Sequence, residues 1–301
     1  DVYKRQSGLN LAGLFDNTYH TNFSLSSGGE YLALVDPDGN VVQNFEESYP
    51  NQYLDVSYGS DGELDGYFSR VTPGNANSGF TEPPVKKVDF SVDGKTFFDS
   101  SELELTHEDP EVEIRYTLDG SEPTVSLFKP AILYTGPITI ESTTTVRARA
   151  FKDGALPGRV KSEVFIQLGD DMKGFDTSLG LAFIDSDGIN VDTKGKDRLY
   201  GASAVFVKQD KVTGLAKADG ESDWSGRIGM RRRGQSSLNF AKKQYHMESW
   251  DENDRDKAVS IFGMPSESDW VIQAPYADKT LMRNYLVYGW SRAMGHYAVR
   301  T

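Results

Sequence analysis

Five cations and no carboxylate lie between Arg231 and Lys243: Arg231, Arg232, Arg233, Lys242 and Lys243. The 301-residue chain has a formal charge of -13, so this cluster runs against its surroundings. A tight set of cations on a polar turn suits an anion such as phosphate. The competing reading is a solvated cationic loop that balances nearby acids. Arg283 and Asn284 extend the cationic, polar set one turn into a helical pattern, near its positive end. Arg233 and Arg283 have a structural alternative as ion-pair partners of Glu248 and Asp278.

Other chemistries lack their residues. Cysteine is absent, which removes disulfides and thiolate metal sites. His20, His107, His246 and His296 are scattered without metal-ligand spacing, so no metal ligand is expected. There is no nucleophile elbow, Walker loop or G-x-G-x-x-G run. The acidic balance argues against general nucleic-acid binding.

The cationic residues need elements to hold them. Arg227–Arg233 alternates, with Ile228 and Met230 on one side and Arg231 and Arg233 on the other, as in a half-buried strand. Gly234-Gln-Ser-Ser breaks it. Gln244–Trp250 alternates again, with Tyr245 and Met247 against His246 and Glu248. Asp269-Trp-Val-Ile is a short apolar strand ended by Pro275. A helix over 278–294 is expected, capped by Asp278 and closed by Gly295. Its apolar face is Met282, Leu286, Gly289 and Ala293, and it should brace the cationic hairpin.

Upstream, the patterning is all β. Residues 30–35 and 41–45 form a hairpin about the Asp36-Pro-Asp-Gly turn, and 53–58 and 66–68 add short strands. Gly74–Lys86 reads as a linker. In a second unit, residues 112–117 alternate, and 143–151 place Val146, Ala148 and Ala150 inward, with Arg147 and Arg149 outward. Asp119 and Glu122 read as turn residues, not a facing glycosidase pair. Asp185-Ser-Asp-Gly reads as a turn, since its glycine spacing departs from a Ca²⁺ loop.

These motifs carry resemblances. RxRGQSS, KKQY, GMPSESDW and DKTLMRN, in this order, resemble the spore-coat CotH kinase family, and FDTSLGLAFIDSDG from Phe175 is similar to that domain's opening strand. YTLDGSEPT, YTGPITI and TTTVRARAF resemble the C-terminal sandwich of chitobiase and hexosaminidase enzymes, an accessory domain. HTNFSLSSGGEYLALVDPDGN with DVSYG and GYFSRVTPGNAN is similar to the lamin-tail domain. The implied fold is mainly β and multidomain: two immunoglobulin-like β-sandwiches, then the α+β, kinase-like N-terminal portion of a CotH domain. The expected spans are 7–78 (N-terminally truncated), 84–168 and 170–301 (C-terminally truncated).

The CotH resemblance implies ATP- and Mg²⁺-dependent phosphorylation of protein serines, with Arg231, Arg233 and Lys243, then Arg283 and Asn284, on the phosphate side. The family's catalytic and metal-binding aspartates are expected beyond Thr301, so no catalytic or metal residue is assigned. An extracellular or cell-surface parent is expected, with a protein substrate, surface partner or glycan as partner. The alternative is a non-catalytic adhesion or scaffold protein.

Overall fold

A computed structural model describes residues 25–45, 47–53, 56–62, 64–72, 74–125, 131–191 and 198–301. The chain forms two compact units, Asp1–Lys86 with Phe151–Gly158, and Lys87–Ala150 with Arg159–Thr301. The described part is mainly β, with several separate sheets and one α-helix. No helix among the described residues is long and apolar enough to cross a membrane.

In the first unit, β1 (Leu32–Val35) and β2 (Val41–Phe45) form the expected hairpin. The carboxylate of Asp36 accepts the N–H groups of Asp38 and Asn40, which makes it a turn residue. Next, β3 (Ser57–Ser60), β4 (Asp65–Phe68) and β5 (Phe80–Thr81) form a three-stranded sheet. The stretch expected to be a linker therefore contains a strand: Phe68 pairs with Phe80, and the Val85 N–H donates to the Leu156 carbonyl. Residues 7–24 of the expected sandwich span, with His20, lie outside the described residues.

The second unit opens with β6 (Asp89–Phe90), β7 (Lys95–Phe97), β8 (Ser101–Leu103), β9 (Leu105–Thr106), β10 (Glu113–Thr117), β11 (Ile132–Leu133), β12 (Ile138–Ile140), β13 (Thr144–Phe151) and β14 (Lys161–Gln167). The strands make a five-stranded sheet in the order β11-β10-β13-β14-β7 and two further pairs, β12-β8 and β6-β9. Val146, Ala148, Ala150 and Phe165 are fully buried there, with Leu103 and Leu105. Asp119 accepts the Ser121 N–H at 2.9 Å and so serves the turn, whereas Glu122 pairs with Arg149 of β13 at 2.7 Å.

Then come β15 (Asp176–Thr177), β16 (Leu181–Asp185), β17 (Tyr200–Val207), β18 (Ala216–Lys217), β19 (Ser222–Arg233), β20 (Gln244–Ser249), β21 (Asp269–Ile272) and α1 (Arg283–Ala293). β16, β17, β19, β20 and β21 make an antiparallel meander. Asp187 and Gly188, both at positive φ, turn the chain after β16. One sheet face buries Ala202, Ala204, Phe206, Ile228, Met230 and Met247 beneath Val259 and Ile261 of the connection after β20. The other face buries Val205 and Val207 against Val164, Ile166 and Leu168 of the preceding sheet.

That second contact joins the two sheets through one core. Hydrogen bonds reinforce it: the Thr96 hydroxyl donates to the Ala218 carbonyl at 2.6 Å, and Thr145 and Ser203 share one at 3.1 Å. Arg147, expected outward, is instead only 7% exposed. Its side of β13 meets the second sheet's connection, and it donates to the carbonyls of Gly120 at 2.9 Å and Glu252 at 2.6 Å. Alternation identified its face correctly, but that face has protein on it.

Glu163 lies in the same seam. Its Oε2 accepts the Gly94 N–H at 2.7 Å and the Ser225 hydroxyl at 3.1 Å. Burial is the main cause that pushes its carboxyl above the ordinary range, with the Gly94 hydrogen bond opposing it. A raised folded value stabilises fully below the unfolded value, and the benefit fades as pH rises through the folded one. We therefore expect Glu163→Gln to lose relative to the parent near pH 4 and to recover, or gain, near pH 7. Guanidinium unfolding midpoints across that range measure it, and parallel midpoints for the two proteins would refute it.

Candidate functional site

The β19–β20 hairpin presents the cationic cluster. Its register pairs Arg231 with His246, Arg232 with Tyr245 and Arg233 with Gln244. Ile228, Met230 and Met247 anchor the hairpin on its inner face, as alternation predicts. Arg231 and Arg233 share the opposite face, where Arg231 is half-buried and Arg233 exposed.

The tip has a fixed shape. Gly234 sits at φ +118°, and a Cβ there would lie 2.1 Å from the Ser237 hydroxyl. Only glycine takes that conformation and spacing. A 3₁₀ turn, Ser236–Asn239, follows. The Lys243 ammonium folds back and donates to the carbonyls of Leu238 at 2.8 Å and Phe240. Lys243 thus closes the tip, and that use of its charge competes with phosphate contact. Phe240 stacks on Tyr276 at 5.1 Å between centroids, and the Lys279 ammonium lies 4.7 Å from the Tyr276 ring centre. An aromatic pair flanked by lysine therefore adjoins the cationic tip, a feature that residue spacing did not reveal.

Arg283 and Asn284 belong to a separate element. Asp278 accepts the Thr280 hydroxyl at 2.7 Å and the Arg283 N–H at 3.0 Å. Those hydrogen bonds, the Thr280 hydroxyl first, hold its carboxyl below the usual range. The helix begins later than expected because Leu281 turns at φ +58°. Its end matches the expectation: Gly295 at φ +81° donates to Arg292, and the His296 N–H reaches Ser291, a Schellman closure. Arg283, itself exposed, lies 3.4 Å from the half-buried Asp278. Asn284 borders a surface depression with Leu179, Gln273, Pro275, Leu281 and Tyr285.

The bracing role expected of the helix is not seen. No residue of α1 is buried, and Met282 and Leu286 of the expected packing face are exposed. The structure thus gathers Arg231, Arg233 and Lys243 at one tip and leaves Arg283 and Asn284 on the helix beyond it.

On the same sheet face as Arg231, three further groups meet. His246 Nε2 lies 3.1 Å from Glu248 Oε1 and 3.4 Å from Asp269 Oδ1. This corrects the reading of His246 as an isolated histidine. His246 and Glu248 are two apart on β20, hence on one face, and Glu248 pairs with Asp269 across β21. His-x-Glu on a strand was the available sequence signal. Asp269 could not be added without knowing the register.

Comparison with known proteins supports two of the three resemblances. Residues 92–162 match the family model for the chitobiase/beta-hexosaminidase C-terminal domain, and residues 230–301 match the one for the CotH kinase protein. No curated protein and no solved structure matches the chain. The CotH match starts at Met230, so the β16–β17 hairpin and most of β19 precede it. The cationic tip, the aromatic pair, β21 and helix α1 all fall within the segment that is similar to the CotH kinase protein family.

Proposed function

We propose that this chain is part of a secreted, modular CotH-type protein, and that its cationic hairpin forms the phosphate side of an ATP- and Mg²⁺-dependent protein kinase. The observation that carries the reading is one coincidence. Arg231 and Arg233 share a sheet face at a rigid tip, inside the segment that matches the CotH kinase model. Phosphoryl transfer is mostly positioning and charge stabilisation, and paired guanidiniums supply both for phosphate oxygens. Lys243 acts by holding the tip; Arg283 and Asn284 act from the start of α1. In this reading residues 7–78 are a lamin-tail module, and the sandwich over 84–168 is an accessory one.

The test is nucleotide binding by the 301-residue chain, read with a fluorescent ATP analogue. Binding should be weak and salt-sensitive. Arg231→Ala with Arg233→Ala should weaken it about tenfold or more, the size expected for losing one charge-assisted hydrogen bond. Binding that ignores both the salt and the double substitution would refute the phosphate assignment.

A second reading, a non-catalytic adhesion or scaffold protein, draws on Lys243. A cation committed to two loop carbonyls is equally at home in a purely structural tip. Binding of a chito-oligosaccharide or a surface protein, with no nucleotide binding, would favour it.

A further inference from the structure

We propose that His246, Glu248 and Asp269 form a binding site for one transition-metal dication of the zinc class. The site is independent of the kinase reading. Its geometry comes from the sheet alone. β20 places His246 and Glu248 on one face, and the β20–β21 register sets Asp269 directly opposite Glu248. One donor atom from each residue lies within 4.8 Å of the others.

The distances are compatible with a shared metal ion. Charge-assisted N–H···O bonds run at about 2.7–2.9 Å. Bonds of about 2.0–2.2 Å to a tetrahedral ion put neighbouring ligand atoms roughly 3.3 Å apart. His246 Nε2 stands 3.1 Å from Glu248 and 3.4 Å from Asp269, a spacing that an ion bridging the three groups accommodates. The far oxygen of Glu248 accepts the Trp250 indole N–H at 3.4 Å. That contact turns Oε1 towards His246 and resembles the outer hydrogen bonds that orient metal ligands.

Burial fits as well. The side chains of His246 and Glu248 are 18% and 22% exposed, and Asp269 is 62% exposed. Two ligands are held and one side is open, so an ion can enter and keep water. One imidazole and two carboxylates suit zinc or a neighbouring transition ion, whereas Mg²⁺ prefers an all-oxygen set. Arg231, opposite His246 in the register, further disfavours a cation held by charge alone. Nε2 must be the unprotonated nitrogen, with the proton on Nδ1.

The experiment titrates the chelator-treated 301-residue chain with Zn²⁺ against a competing dye, and with Co²⁺ for its visible absorption. One equivalent is expected, with a Co²⁺ ligand-field band and a higher melting temperature at saturating Zn²⁺. His246→Gln and Glu248→Gln should each weaken Zn²⁺ binding at least about tenfold. Far-UV circular dichroism should show both variants folded, and if either is not, Asp269→Asn on the exposed side replaces it. Zn²⁺ binding unchanged in the folded variants, no Co²⁺ band, or displacement of Zn²⁺ by equimolar Mg²⁺ would overturn the proposal. The three groups would then be an ion-paired histidine.

Discussion

Val205→Asp is expected to unfold both sheets of the second unit in one transition. Val205 is fully buried in the cluster shared by Val164, Ile166, Leu168, Val207 and Ala218, with Leu181 and Phe183 packed against it. The substitution forfeits about 1.5–3 kcal/mol of apolar burial. It also places a charge where the cluster offers no polar partner, at a further cost of several kcal/mol. Together they approach the whole stability of a typical domain, about 5–15 kcal/mol. Fluorescence and circular dichroism separate the sheets. The four tryptophans all lie at or beyond Trp224, so their emission reports the meander and α1, and far-UV dichroism reports everything. In the parent the two signals should change together. A variant that loses its tryptophan signal while residues 87–168 still melt cooperatively would show that the sheets do not depend on each other.

Gly229→Val should cost about 3 kcal/mol, the upper end for overpacking. A Cβ at Gly229 would lie 2.0 Å from the Trp250 ring, whose benzene edge covers the strand there. Backbone cannot yield in the middle of β19, paired on both sides, so the indole must leave. Its N–H then abandons Glu248. A red-shifted emission and a lower urea midpoint are expected. Gly289→Ala is the contrast: nothing lies within 4 Å of that position in α1. Alanine there should help the helix by up to about 1 kcal/mol. Equal losses at the two positions would mean that general glycine replacement, not the Trp250 contact, sets the cost.

The hairpin was legible because a half-buried strand writes its two faces into alternate residues. Ile228, Met230 and Met247 followed that rule, and so did Val146, Ala148 and Ala150. Arg147 obeyed the alternation yet was misplaced, because the pattern names a face without naming what covers it. Its partner carbonyl on Glu252 is 105 residues away, beyond the reach of any periodicity. Capping signals are local, so Asp278 and Gly295 were found, while the exposure of Met282 and Leu286 depends on what packs nearby. The His246–Glu248–Asp269 cluster needed the pairing of two strands separated by about twenty residues, and strand register is a tertiary property.

The seam between the two sheets bears on how this protein can be rebuilt or recombined. By family resemblance the segments 92–162 and 230–301 look like interchangeable cassettes. Physically they cannot be cut at those bounds, because Val164 and Ile166, just past the first segment, and Val205 and Val207, between the two, complete a single interior. A chimera that imports a different sandwich must bring a matching apolar surface, a carboxylate where Glu163 receives Ser225, and a donor for the Glu252 carbonyl. Sequence joints placed at residue 169 would cut through that interior rather than around it. Shuffling that respects it has to move residues 87–150 and 159–301 together.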